Sequence, residues 1–67
     1  MKDYRVILKR KRELLGISQY KLAKQLGITQ TFLSEIERGR KSPSIEVFFQ
    51  LCDVLDIKLF PDEEETS

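Results

Sequence analysis

The chain has 67 residues, 40% of them hydrophobic and 34% charged, with a net charge of +1. That balance is too apolar for a disordered chain and suits one small domain, whose core supplies only about 3–5 kcal/mol unless something staples it. One cysteine and no histidine exclude an internal disulfide and a zinc finger, and no apolar stretch approaches the ~18–20 residues of a membrane span.

The N-terminus is charged at Lys2, Asp3 and Arg5 with no long apolar run behind it, so no secretory leader is expected and the location expected is cytoplasmic. Glycines stand at 16, 27 and 39, where helices are expected to stop in the left-handed conformation. Tyr4, Leu8, Arg12 and Leu15 recur at helical spacing, which predicts a first helix over 3–15 with these residues on one face. Ser18 is the N-cap of a second helix over 19–26 with Leu22, Ala23 and Leu26 inward, and Thr29 caps a third over 30–38 with Leu33 and Ile36 inward. A loop follows from Gly39 to Pro43, and Pro43 disfavours helix at Ser42 and frames a new start at Ser44.

The fourth helix, over 45–55, is expected to turn Ile45, Phe48, Cys52 and Leu55 to the core, with Cys52 a buried, inert thiol. Val47, Phe49, Leu51 and Val54 then lie off that face and are wet in a monomer, which makes them candidate dimer contacts. Beyond Asp56, Ile57–Phe60 is either a short strand or a loop that tucks Ile57 and Leu59 against the core. As a strand it would add Leu59 and Phe60 to the interface. The expected division is a domain over 1–57, then a strand or loop and an acidic tail over 58–67.

The small net charge conceals an asymmetry. Residues 1–50 carry eleven Lys and Arg against five acids, and residues 51–67 carry one Lys against six. A basic body points to a polyanion partner, while Asp62–Glu65 reads most simply as a solvated terminus.

Residues 19–37, QYKLAKQLGITQTFLSEIE, carry the strongest signal. Two short helices crossing steeply over a tight turn need a small residue at the crossing, glycine at the turn and apolar residues inward. Ala23, Gly27, and Leu22, Leu26, Ile28, Leu33 and Ile36 meet those needs.

The run S-Q-x-x-L-A-x-x-L-G at 18–27, I-E-R-G at 36–39 and S-P-S-I at 42–45 resembles the phage Cro/cI-repressor-like (XRE) helix-turn-helix family over about residues 5–57. The resemblance implies an all-α, lambda-repressor-like bundle of four to five helices, with room for a short C-terminal strand, whose third helix enters the major groove of double-stranded DNA. It implies phosphate contacts at Ser18, Gln19, Arg38, Arg40 and Lys41, and base contacts at Gln30, Thr31 and Glu35 with Thr29 and Phe32 at the edge. Gln is suited to adenine and Glu to the cytosine amine, although Glu35 facing DNA repels phosphate unless a base or cation satisfies it. Glu37 and Arg12 match a pair the family joins by a salt bridge, and Arg12 on an inward stripe requires a partner. Two departures stand out: Asp56 replaces the usual glycine after helix four, and the usual fifth helix is not evident.

The function expected is a homodimeric transcriptional repressor on a palindromic operator. The alternative is an antitoxin that binds a toxin protein and represses its own operon, because VFFQLCDVLDIKL is similar to the end of HipB-type antitoxins. An enzyme is not expected: no His is present, Cys52 is on an apolar face, and no Ser or Lys has an activating neighbour. No catalytic residue, metal site or cofactor is assigned.

Overall fold

Each helix starts on a side chain that satisfies one of its own free amides. The computed structural model describes residues 3–58, which form α1 (Tyr4–Leu14), α2 (Gln19–Leu26), α3 (Gln30–Arg38) and α4 (Ile45–Val54). Ser18, Thr29 and Ser44 accept from the N–H groups of Lys21, Phe32 and Val47 at 3.0, 3.0 and 3.1 Å, as the sequence predicts. Asp3 caps α1 by accepting from Arg5 N–H at 2.9 Å, which the sequence reading did not single out. Each such cap is worth about 1 kcal/mol.

The four helices also end alike. One left-handed residue breaks each helix, and the residue after it donates back to the carbonyl five positions earlier. These bonds are Ile17 to Arg12 at 3.1 Å, Ile28 to Ala23 at 3.0 Å, Arg40 to Glu35 at 2.9 Å and Ile57 to Cys52 at 2.8 Å. Glycine supplies the turn three times, and Asp56 does so after α4 with φ 58°. Ile17, Ile28 and Ile57 then fold onto the core. After α3 the same position holds Arg40, which is exposed.

Helix α3 packs against both α1 and α2, and α4 packs against α2. Leu22, Leu33, Ile36, Leu51 and Leu55 are fully buried between them, with Leu8, Ala23 and Cys52 nearly so. No strand occurs among the described residues. Ile57 is half-buried in a loop, and the proposed strand's Leu59 and Phe60 lie outside the described residues, as does the acidic tail.

Two expectations about faces are corrected. On α1, Leu8 and Arg12 are buried, but Tyr4 and Leu15 are 36% and 48% exposed. The chain reverses at Gly16, so Ile17 rather than Leu15 turns to the core. On α4, Leu51 is completely buried, whereas Ile45 is 66% exposed. Val47 and Val54 are half-buried against the core. The core face is therefore rotated towards Val47, Leu51 and Val54, and Leu51 has no surface left for a partner. Seven of the ten residues of α4 are apolar, so apolar spacing alone does not set its phase.

Candidate nucleic-acid interface

The helix pair is held by one polar cluster. Arg12 of α1 donates from Nε to Glu37 Oε2 at 2.7 Å, from Nη2 to Glu37 Oε1 at 3.1 Å and from Nη1 to the Ile17 carbonyl at 2.9 Å. Gln19 at the start of α2 donates to the same Glu37 Oε1 at 2.8 Å. The Arg12 and Glu37 side chains are 10% and 3% exposed, so the expected pair is present and buried. The cluster ties α1, the first turn of α2 and the last turn of α3 together. Among the described residues no buried polar side-chain atom lacks a partner.

This frame leaves the outward face of α3 open. Gln30, Thr31, Ser34, Glu35 and Arg38 line a groove closed on one side by Gln19. Five of these six were expected as contacts, and the structure brings them together. Ser34 was missed, although it stands four residues after Gln30 and so shares its helix face. Gln30 and Thr31 are exposed, while Ser34 and Glu35 are half-buried. Gln19 is half-buried and spends one amide hydrogen on Glu37, so its packing role accompanies any contact it makes to DNA.

The remaining expected residues are distributed around this groove. Ser18 and Thr29 are exposed, and each accepts a capping bond that leaves its hydroxyl hydrogen free to donate. Phe32 is half-buried and packs against the core, so only part of its ring faces outward. Arg38, Arg40 and Lys41 are all exposed at and just beyond the end of α3.

The backbone there is anchored from α1: Arg5 Nη1 donates to the Gly39 carbonyl at 3.2 Å. Asp3 in turn holds Arg5, accepting from its Nε at 2.7 and 2.9 Å. These hydrogen bonds keep the Asp3 carboxyl below its ordinary 3.8 and raise Arg5. Burial pushes the Cys52 thiol up, in keeping with an inert core residue. Glu35 is the one carboxylate lining the groove, with Arg38 on the same helix face.

A nine-residue helix is about 13–14 Å long and, with side chains, about 10–12 Å across, which suits the ~12 Å width of the DNA major groove. Its exposed face offers amide and hydroxyl groups for base edges, and its end offers three cations for phosphates. No helix among the described residues is long and apolar enough to cross a membrane.

The helix-turn-helix family model matches residues 8–60. The chain is 43% identical over 56 residues to YazB, an uncharacterized HTH-type transcriptional regulator of Bacillus subtilis, with 79% of this chain and 81% of that protein covered. It is 34% identical over 53 residues to the ImmF control region 10 kDa protein of Bacillus phage phi105, covering 79% of this chain and 59% of that protein. It is 33% identical over 52 residues to MJ0272, an uncharacterized HTH-type transcriptional regulator of Methanocaldococcus jannaschii, covering 78% and 79% of the two chains. No solved structure matches at the same standard.

Proposed function

The chain belongs to the Cro/cI-like (XRE-type) helix-turn-helix family, and on that premise we propose that it is a transcriptional repressor that binds a palindromic DNA operator as a homodimer. The observation that carries the reading is the groove that unites Gln19, Gln30, Thr31, Ser34, Glu35 and Arg38 on the open face of α3. In this reading Gln30 reads an adenine by paired hydrogen bonds, and Glu35 accepts from a cytosine amine while Arg38 offsets its charge. Ser18, Arg38, Arg40 and Lys41 hold phosphates and set the register, but carry no sequence information themselves.

The test is selection of duplexes from a random pool, followed by titration of variants on the selected duplex and on a scrambled one. Gln30→Ala should cost about 1–3 kcal/mol on the selected duplex and leave the scrambled one unchanged. Lys41→Ala should weaken both equally and flatten the salt dependence by about one unit. Equal losses for Gln30→Ala on the two duplexes would remove its base-reading role.

A further inference from the structure

A second depression adjoins the recognition groove. It is lined by Tyr20, Ala23, Lys24, Ile28, Thr29 and Gln30, and it meets the first groove at Gln30. Tyr20 is 61% exposed, so most of its ring is open to a contact. The Lys24 ammonium stands 5.9 Å from the centre of the Tyr20 ring, so the two side chains are paired across one turn of α2. Ala23 and Ile28 contribute apolar surface to the depression, while Lys24, Thr29 and the Tyr20 hydroxyl supply polar groups. None of its lining residues is acidic.

We propose that Tyr20 and Lys24 form a further DNA-backbone site, in which Lys24 binds a phosphate and Tyr20 packs against the adjoining deoxyribose. The inference rests on the DNA-binding reading above and extends it beyond the groove. Three features select this occupant. The site is continuous with the recognition face through Gln30, so a duplex read by Gln30 carries its backbone past this depression. Its cation and hydroxyl donors match a phosphate, and its apolar surface matches a sugar. Phosphate contacts position a protein on a duplex without regard to sequence. The rival occupant is an acidic protein surface, which the same chemistry would recognise.

The full chain is titrated with the selected and the scrambled duplex from 50 to 200 mM salt, as wild type, Lys24→Gln, Tyr20→Ala and Lys9→Gln. Lys9 is exposed on α1 and does not line this depression, so its variant controls for net charge. One lost phosphate contact changes the salt exponent by about 0.9, so the weakening caused by Lys24→Gln should be about 3.5-fold greater at 50 mM than at 200 mM. Both duplexes should show it equally. Tyr20→Ala should weaken both duplexes and leave the salt slope unchanged, because it removes packing and no charge. If Lys24→Gln matches Lys9→Gln while Lys41→Ala still flattens the slope, the Tyr20–Lys24 site is overturned and the DNA-binding reading stands. A wild-type chain with no salt-dependent duplex binding overturns both.

Discussion

Arg12 is the residue on which most of the architecture converges. It sits on the buried stripe of α1, yet all three of its donor groups are used, two on Glu37 and one on the Ile17 carbonyl. Truncating it leaves the Glu37 carboxylate, 3% exposed, with the Gln19 amide but no counter-charge. Breaking a buried pair on one side typically costs about 3–5 kcal/mol, most of the stability a domain this small possesses. Arg12→Ala should therefore be largely unfolded, or melt far below wild type, by circular dichroism; a melt within a few degrees would contradict the buried pair. Asp56 supplies a prediction of opposite sign. Its φ of 58° strains a residue with a Cβ, although Asp tolerates that region better than most. Asp56→Gly removes the strain and adds unfolded-state entropy, for a net gain of about 0.5 kcal/mol and a Tm rise of about 2–4 °C. An unchanged or lower Tm would show that the Asp side chain contributes more than its conformation costs.

At the scale of the element, α1 is both a core helix and the anchor of the loop after α3. Asp3 caps its first turn and holds Arg5, which reaches the Gly39 carbonyl. Its hydrogen bonds with Arg5 hold the Asp3 carboxyl below its ordinary 3.8. A depressed carboxyl contributes stability that is fully present above the unfolded-state value and is lost as pH falls through the folded-state value. Acid should thus loosen the start of α1 and the 39–41 loop only below about pH 4, the ordinary range of an Asp carboxyl. Asp3→Asn keeps a capping oxygen but abolishes this pH dependence. Amide exchange of α1 and the loop, followed from pH 5 to 2.5, checks the difference between the two proteins; identical profiles would show that Asp3 is not the titrating group.

At the scale of the whole molecule, Ile45 and Phe49 of α4 leave apolar surface uncovered by the other described residues. They are 66% and 53% exposed. Phe49 adjoins Phe48 at 6.1 Å between ring centres, and Phe48 meets Tyr4 of α1 edge-on at 5.5 Å. A homodimer formed on this aromatic patch would bury it against its copy. Each large side chain fully buried contributes about 1.5–3 kcal/mol, a useful supplement to a marginal core. A two-fold axis there would set two α3 helices about 34 Å apart along a palindrome. Phe49→Asp should keep the fold, because the residue lies half outside the core, and should shift sedimentation at micromolar concentration from dimer to monomer. A wild-type monomer that the substitution leaves unchanged would remove this interface.

The helices themselves were legible in the 67 residues, because local chemistry decides where they start and stop. Ser18, Thr29 and Ser44 before the helices and Gly16, Gly27 and Gly39 after them act within a few residues, and α2 and α3 have the predicted bounds. The candidate contact residues came from the family resemblance rather than from spacing, and the structure places Gln30, Thr31, Glu35 and Arg38 around one groove. Burial was less legible. Helix α4 carries apolar residues around most of its circumference, so only its packing on α2 and the rings of Tyr4 and Phe48 select Leu51 for the core and leave Ile45 and Phe49 outside. The bond from Gln19 to Glu37 joins residues 18 positions apart, and the approach of Arg5 to Gly39 spans 34. The sequence by itself thus determined the elements and three of their four caps. The tertiary structure alone decided which apolar residues are covered and which polar groups meet across helices, because those outcomes depend on contacts between segments that local propensity does not encode.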